Sequence, residues 1–568
     1  MNDIRRTILW VILGFSLVML WDKWQIHNGR QATFFPTTVA SAPAAAPGAS
    51  AAASAASAAG SAVPTAVTSP SASAAEVPGT PATPAPARER VEVSTDVLKL
   101  SFDTAGGSLV RAELLKNIDL HDRSRHFVLL DESAERVYLA QTGLIGAPGL
   151  PNHTTVMTAV PGPRQLADGS NQLEVRFESP EHEGVKLVKT YTLTRGSYAI
   201  GVKHEVVNTG SAPVTPQLYL QLVRDGNKLA GESSFYSTFT GPAVYTDAKK
   251  YQKVEFKDIE KNDAKFEKQS TNGYVAMVQH YFASAWLLGD GIARDIFARK
   301  VSNNLYAVGM ISTLPTVAPG TSQAAESRLF VGPQEEKVLE SLAPGLELVK
   351  DYGWLTILAK PLYWLLDKLH SVIQNWGWSI VALVVLLKIA FYWLNAKAYA
   401  SMAKMKAVNP RIQEMRERLK DKPQEMQQAM MKMYREEKIN PLGGCLPIMV
   451  QIPVFIALYW VLLSSVEMRG APWIGWIRDL SAPDPWYLLP VIMTLTTLLQ
   501  TALNPAPPDP MQAKLMWFMP LAFSVMFFFF PSGLVLYWIT NNILSIVQQW
   551  IINTRMGVPP QFNLPKFK

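Results

Sequence analysis

The sequence has little of what soluble enzymes and disulfide-stabilised domains carry. Its single cysteine, Cys445, excludes an intramolecular disulfide and a zinc site built on several cysteines. Charged residues make up only 17 % of its 568 positions, whereas average soluble domains carry about a quarter. A Gly-Lys-Ser/Thr phosphate loop, a Gly-x-Ser-x-Gly elbow and a His-Glu-x-x-His pair are all missing. We therefore expect no catalytic residue, no metal site and no cofactor.

Long apolar runs are present instead, and the first lies at the N-terminus. Residues 7–21 are apolar and follow Arg5 and Arg6. Arginines before such a run favour a cytoplasmic N-terminus. A cleaved signal peptide opens in the same way, but no small-x-small cleavage site follows the run. The pattern favours an uncleaved transmembrane anchor over residues 1–24.

The next two segments differ sharply in composition. Residues 36–87 are almost entirely Ala, Ser, Pro, Thr, Gly and Val, which predicts a flexible tether over 25–90 without a packed core. Residues 91–350 show apolar and polar residues in alternation, for example at 172–178, 185–193 and 217–223. Period two in many short runs predicts an antiparallel β-sandwich. Because it follows an outward-going span, we expect this domain to lie in the periplasm.

The rest of the chain is again predicted to lie mainly in the membrane. Five more apolar runs predict spans at 376–394, 442–467, 486–503, 516–530 and 531–552, which makes six spans with the anchor. The loop from 395 to 440 holds 11 Lys or Arg, whereas 467–485 holds two. By the positive-inside rule the hairpin at 395–441, the loop at 504–515 and the basic tail at 553–568 are cytoplasmic, and the loop at 468–485 is periplasmic. We expect a multi-pass protein of the bacterial inner membrane with both termini in the cytoplasm.

A lysine inside the second span is the most informative single residue. Lys388 lies within the apolar run 378–394, where a central lysine costs roughly 2.5–3.5 kcal/mol on insertion scales. Its stem could snorkel toward the span end, about 9 Å away. The alternative is a charge that faces a wet cavity between helices. The spans contain amides and hydroxyls, expected mainly to hydrogen-bond between helices, but no acidic partner, which favours the cavity.

Two further patterns concern the helix before the second span and the length of the fifth span. Lys360, Asp367, Ser371 and Gln374 share one face of a helix predicted within 351–375, which indicates an amphipathic helix on the outer membrane surface. The run 516–530 makes only about 22 Å of helix, against about 30 Å of hydrocarbon. It is followed at once by a tight Pro-Ser-Gly turn. We expect this short hairpin to thin the bilayer locally.

The cytoplasmic loop is predicted to form a helical hairpin, broken near Pro423, with methionine-rich apolar faces. Packing of methionine on methionine is the simpler interpretation, and adaptable contacts with apolar partners are the second. Its basic side chains suit anionic lipid or ribosomal RNA. The candidate contact residues are Met405, Met415, Met430, Arg416 and Arg418.

Several ordered motifs resemble one family. In the membrane region these are Asn440-Pro-Leu-Gly-Gly-Cys-Leu-Pro447, Gln451-Ile-Pro-Val-Phe455 and Phe530-Pro-Ser-Gly-Leu-Val-Leu-Tyr537. The outer domain adds Gly273-Tyr-Val-Ala-Met277 and Tyr281-Phe-Ala-Ser-Ala-Trp286. The chain resembles the YidC/Oxa/Alb family of membrane protein insertases, in its Gram-negative form with a large periplasmic domain. The likeness covers nearly everything except the tether.

The resemblance implies a function as well as a fold. It implies an insertase and chaperone that works alone or with the Sec translocon on nascent membrane proteins, in contact with ribosome–nascent chain complexes and membrane lipids but not DNA. It implies a polytopic α-helical membrane protein with a five-helix insertase core around a hydrophilic groove, and a periplasmic all-β supersandwich similar to sugar mutarotases in fold alone. The groove residues would be Lys388, Gln451, Tyr537 and Trp538. Better-known members carry arginine where this chain has Lys388, so bidentate capture of a carboxylate is lost.

Two other classes of function remain as alternatives. A secondary transporter would carry coupled acidic or histidine residues in its spans and inverted repeats, and the sequence shows neither. A membrane-tethered carbohydrate enzyme would use carboxylates of the β-domain such as Glu205 or Asp225.

Overall fold

A computed structural model describes residues 64, 88–120, 122–228, 238–419, 422–436, 446–504, 510–557 and 562. The predicted anchor at 1–24 and most of the predicted tether lie outside these residues. The chain divides into two compact units. Residues 38–350 form the first, here called the β unit. The described residues of 351–568 form the second, here called the helical unit.

The described part of the β unit contains two nine-stranded antiparallel sheets. In spatial order the first sheet is β1 (Arg90–Ser94), β2 (Leu98–Asp103), β3 (Ser108–Ile118), β4 (His126–Glu132), β5 (Val137–Ile145), β10 (Gln217–Asp225), β17 (Leu305–Thr313), β16 (Arg294–Ser302) and β13 (Gln269–Ser270). The second is β12 (Lys250–Lys253), β11 (Gly241–Thr246), β14 (Tyr274–Gln279), β15 (Phe282–Leu288), β18 (Ser322–Pro333), β9 (Ala199–Asn208), β8 (Val185–Thr194), β7 (Gln172–Glu178) and β6 (Thr158–Ala159). The described part of this unit also contains two short helices, α1 (Phe256–Glu260) and α2 (Glu336–Leu342), and a 3-10 turn at Leu346–Val349.

Alternation in the sequence becomes alternation of burial in these strands. In β7, Leu173, Val175 and Phe177 are buried while the residues between them are exposed. The sheets also exchange polar contacts, because the Trp286 indole N–H on β15 donates to the Gln221 carbonyl oxygen on β10 at 3.0 Å. The prediction of a β-sandwich is confirmed.

A lysine and a histidine are buried together between the sheets. Lys189 on β8 pairs across the ladder with His204 on β9, and both side chains are fully buried. The Lys189 ammonium donates to the carbonyl oxygens of Gly106 at 2.6 Å and Thr142 at 2.7 Å. The Nε2 atom of His204 lies 2.8 Å from the Thr142 hydroxyl. Burial lowers the pKa of Lys189 to about 7, and burial, with Lys189 beside it, lowers the pKa of His204.

The helical unit consists of helices and short 3-10 turns. Its helices are α3 (Thr356–Ile373), α4 (Trp376–Ala390), α5 (Tyr392–Arg418), α6 (Pro423–Glu436), α7 (Leu446–Ser464), α8 (Leu488–Leu503), α9 (Pro510–Met526) and α10 (Ser532–Arg555). Within the described ranges no single helix is both long and apolar enough to cross a bilayer. Helix α4 and the first turns of α5, bent by 67° at Phe391, reach that length and hydropathy together. The predicted second span thus divides between two helices, and α5 begins at Tyr392, three residues before the hairpin predicted at 395–441.

Helix α3 occupies the segment predicted to be amphipathic. Its buried residues are Ala359, Tyr363 and Leu366, and the Tyr363 hydroxyl donates to Glu467 at 2.6 Å. Ile357 and Val372 are more than four-fifths exposed, at 87 % and 81 %. An apolar exposed face is what a helix lying on a membrane surface presents. The membrane location of α3 stays a prediction.

The segment between α7 and α8 packs onto two helix N-termini. The Asn375 side-chain amide donates to the Trp473 carbonyl at 3.2 Å, and the Trp473 ring lies against Gly377, where an added Cβ would come within 2.2 Å of Cδ1. At α10, the backbone N–H groups of Ser532 and Gly533 donate to Ala482 and Leu480. The α10 bonds satisfy backbone N–H groups that a helix N-terminus leaves without partners, so the segment caps α10. At α4 the cap is Asn375, whose side-chain oxygen accepts the Trp378 N–H at 3.1 Å, and the segment holds that side chain in place.

We expect the β unit to become more stable between pH 7 and pH 9. The folded pKa of Lys189, about 7, lies below the unfolded value, so the unfolded chain binds more protons over this interval. The free energy of unfolding then rises by up to about 1.4 kcal/mol per pH unit. His204 acts in the same direction, because its depressed pKa costs stability below about pH 6.5. Urea-dependent pulse proteolysis of the full-length protein measures the slope.

Lys189→Met should flatten this slope because it removes the titrating ammonium. Lys203→Met serves as the control, since Lys203 is exposed on the neighbouring strand β9. Equal slopes in the wild type and in Lys189→Met would contradict the assignment.

Gly377→Ala should loosen the segment between α7 and α8. The new methyl group overlaps the Trp473 ring, and overpacking of this kind typically costs about 1–3 kcal/mol. We expect faster tryptic cleavage after the exposed residue Arg478. Gly162→Ala is the control, because nothing lies within 4 Å of the added Cβ. An unchanged cleavage rate in Gly377→Ala would show that the ring moves aside without effect.

Candidate functional site

A small cavity lies between α4, the start of α5, α7 and α10. Its volume is about 30 Å³, which is room for one or two water molecules. Apolar and polar side chains both line it. They are Val384, Leu387, Lys388, Phe391, Leu394, Asn395, Gln451, Val454, Tyr537 and Asn541. Three of the four predicted groove residues are therefore brought together here.

Lys388 contributes the charge of this cavity. The side chain is half-buried, and its ammonium donates to the Ser545 hydroxyl on α10 at 2.7 Å. Ser545 in turn donates to the Asn541 carbonyl at 2.7 Å, one turn earlier on the same helix. Within the described ranges no carboxylate pairs with Lys388. The ammonium is therefore held by a neutral hydroxyl, beside space for water.

A polar stripe on α10 forms one wall of the site. Tyr537, Asn541 and Ser545 follow one another at intervals of four residues, which places them on one helical face. The Gln451 amide on α7 donates to the Asn541 side-chain oxygen at 2.9 Å. Tyr537 is almost fully buried and its ring stacks on Phe455 of α7, with 5.8 Å between centroids. The stripe therefore connects α10 to both α4 and α7.

Trp538 is the predicted groove residue that the structure places elsewhere. Its ring packs edge-on against Phe455 at 4.6 Å and against Phe527 at 5.0 Å. It follows Tyr537 directly, at about 100° around the helix, and it is not among the side chains that line the cavity. Trp538 belongs to an aromatic cluster on the neighbouring face of α10.

A second polar stripe joins α10 to α8. The Asn542 amide donates to the Thr497 hydroxyl at 2.9 Å, and the Gln549 amide lies 3.3 Å from the Asn504 side-chain oxygen. These amides hydrogen-bond between helices, as expected, whereas hydroxyls such as those of Thr494, Thr501 and Ser524 donate to carbonyls of their own helix. The hydrogen bonds satisfy polar groups whose burial without a partner would cost free energy.

Three polar residues of the site were not singled out from the sequence. Asn541 and Ser545 could have been found from their spacing of four and eight residues from Tyr537. Asn395 is buried at the start of α5, and its amide lies 3.5 Å from the Gln548 side-chain oxygen. No sequence signal identified Asn395, because it falls at the end of a predicted span.

The predicted methionine-rich hairpin corresponds to α5 and α6. Val408, Ile412 and Met433 are buried together, and Met415 and Met430 pack against them. Arg418 is exposed. The side chains of Met405 and Arg416 lie outside the described residues. Met415 and Met430 therefore serve, at least in part, to hold the two helices of the hairpin together.

The carboxylates of the carbohydrate-enzyme alternative do not form a matched pair. Asp225 is 8 % exposed, and it accepts the backbone N–H groups of Val137 at 2.6 Å and Asn227 at 2.9 Å. It ends β10 in the first sheet, while Glu205 lies on β9 in the second. Asp225 stabilises a strand end by these bonds.

Comparison with known proteins gives matches along the whole chain. The YidC periplasmic domain family matches residues 90–365, and the 60Kd inner membrane protein family matches residues 368–558. A relative from Cupriavidus necator, called membrane protein insertase YidC, is 57 % identical over 98 % of both chains. Relatives of the same name from Ralstonia nicotianae and Burkholderia cenocepacia are 55 % and 54 % identical, each over 98 % of this chain.

Solved structures give weaker similarities. The crystal structure of an active YidC insertase is 20 % identical, with a TM-score of 0.38, and the match covers 81 % of this chain and 91 % of that one. A galactose mutarotase related enzyme from Lactobacillus acidophilus is 10 % identical, with a TM-score of 0.28, over 43 % of this chain and 97 % of that one. The high identity to the curated relatives over nearly the full length decides the family: the chain belongs to the YidC family of membrane protein insertases.

Proposed function

We propose that the protein inserts hydrophobic segments of other proteins into the bacterial inner membrane and helps them fold there. The observation that carries this proposal, beyond family membership, is the cavity around Lys388. A charge inside an apolar helix is costly and marks a working site in membrane proteins. Lys388 lies beside space for water and next to the amide of Gln451 and the ring of Tyr537, which suits passage of a polar chain.

The mechanism is electrostatic and hydrophobic, without covalent chemistry. The hydrophilic and often acidic outer end of a substrate enters from the cytoplasm and is drawn toward the Lys388 ammonium. Its apolar segment then passes into lipid along α8 and α9. Exposed apolar side chains on these helices, such as Leu495, Phe518 and Val525, offer a compatible surface.

Two sources of free energy drive the transfer. A segment of about 20 apolar residues is stabilised by hydrocarbon, and the membrane potential contributes about 2.3 kcal/mol per charge per 100 mV. The short predicted span at 516–530 lowers the barrier further by thinning the bilayer locally.

The proposed topology has six spans, with both termini in the cytoplasm. The bent pair of α4 and α5, followed by α7, α8, α9 and α10, supplies the five-helix core. The β unit is periplasmic, α3 lies on the outer surface, and the α5–α6 hairpin extends into the cytoplasm. The uneven distribution of Lys and Arg between the loops supports this orientation.

The proposed partners are nascent membrane proteins, ribosome–nascent chain complexes, the Sec translocon and membrane lipids. The exposed basic residue Arg418 on the hairpin suits the phosphates of ribosomal RNA or anionic lipid. A transporter or a carbohydrate enzyme is not favoured, because the family consists of insertases and Asp225 is occupied by backbone amides.

Replacing Lys388 tests the role of the charge. An ammonium–carboxylate attraction of about 2 kcal/mol, expected near 8 Å at an effective dielectric constant of about 20, predicts that Lys388→Ala slows insertion of a single-span, acidic-tailed substrate by at least about tenfold. Lys388→Arg should retain most activity. Insertion is measured by protease protection in cells depleted of their own insertase. Wild-type rates for Lys388→Ala would exclude a role for the charge.

Cysteine labelling tests the topology. In a Cys445→Ser background, Lys203→Cys and Arg478→Cys should react with a membrane-impermeant maleimide in spheroplasts. Arg418→Cys should react only in inverted vesicles. All three wild-type residues are exposed in the structure, so burial does not confound the result. Labelling of Arg418→Cys in intact spheroplasts would contradict the proposed orientation.

A further inference from the structure

We propose that Ser545 is a positioning residue that holds the Lys388 ammonium in the cavity and so sets the preference for acidic substrates. This inference rests on the proposed function. It concerns a contact between two helices whose residues are 157 positions apart. Ser545 would act on the substrate only through Lys388.

The geometry makes Ser545 an acceptor for the lysine. Its hydroxyl hydrogen is used in the bond to the Asn541 carbonyl at 2.7 Å. A hydroxyl has one hydrogen and two lone pairs, so the lone pairs remain for the Lys388 ammonium at 2.7 Å. The two bonds form a short chain from the α10 backbone to the charge on α4, and this chain fixes where the charge lies.

Lysine needs such an acceptor more than arginine would. Its ammonium is a compact charge on a flexible four-carbon stem, whereas arginine presents a rigid planar fork of donors. Without a fixed acceptor the stem is free to snorkel toward the end of the apolar run. Ser545 therefore holds the ammonium beside the cavity that Lys388 lines together with Gln451 and Tyr537.

The contact also leaves the charge available to a ligand. An ammonium carries three N–H donors, and the structure shows one of them in use, at Ser545. The cavity of about 30 Å³ admits water next to the others. A carboxylate of a passing substrate replaces that water without breaking the bond to Ser545.

The test compares two substrates that differ only in the charge of the outer tail. Both are single-span proteins, one with Asp and one with Asn in the outer tail, inserted by the full-length protein in proteoliposomes. Loss of one hydrogen bond of ordinary net strength predicts that Ser545→Ala slows the acidic substrate by about three- to tenfold and leaves the neutral one within about twofold. Ser545→Thr, which keeps the hydroxyl, should restore the wild-type ratio.

Thr540→Ala is the matched control. Thr540 lies on the same helix, is half-buried, and also donates to its own backbone, at the Leu536 carbonyl at 2.8 Å. It should change neither rate. The thermal midpoint of each variant is measured alongside, and Ser545→Thr supplies the comparison if Ser545→Ala is unstable.

The double variant Lys388→Ala with Ser545→Ala separates the outcomes. If Ser545 acts through the lysine, the double variant behaves as Lys388→Ala alone. Additive losses, or equal losses for both substrates, would overturn the positioning role. If Lys388→Ala lowers the acidic preference and Ser545→Ala does not, only this inference fails. If Lys388→Ala leaves the preference unchanged, the proposed role of the charge fails with it.

Discussion

The helical unit is organised around one electrostatic problem, the ammonium of Lys388 in an apolar helix. Such a charge needs a counter-ion, a set of dipoles or water. Among the described residues no counter-ion pairs with Lys388. The Ser545 hydroxyl therefore supplies the dipole, and the cavity supplies room for water. This requirement explains why α10, otherwise suited to lipid, carries Asn541 and Ser545 on the face toward α4 and α7.

The same helix holds most of the unit together. Its other polar residues, Asn542 and Gln549, bind α8, and its N-terminus is capped by the carbonyls of Leu480 and Ala482. Polar contacts between helices are needed in lipid, because apolar side chains gain little by leaving hydrocarbon for one another. A helix with two polar stripes therefore fixes the positions of its neighbours, and with them the shape of the cavity.

Much of this structure was predictable from the sequence. The rest depends on how each helix is rotated about its axis and on which residues of different helices contact each other. Period-two patterns predicted the sandwich, and apolar runs with basic loops predicted the helices. Lys388, Gln451 and Tyr537, named together from the sequence, line one cavity. Trp538 does not, because a motif identifies a helix without fixing which of two adjacent residues faces inward. Ser545 was missed because its partner is 157 residues away, and a lone serine in an apolar helix usually bonds to its own backbone.

A comparison of Lys189 with Lys388 shows which feature separates a structural charge from a functional one. Lys189 is fully enclosed, and its ammonium donates to two backbone carbonyls, at Gly106 and Thr142. Those acceptors belong to the backbone of the sandwich, so the side chain is held in one fixed arrangement. Lys388 is half-buried, donates to one hydroxyl and adjoins a cavity. Donors that face water rather than fixed carbonyls are available to a ligand, so burial alone does not indicate function; the presence of space beside the charge does.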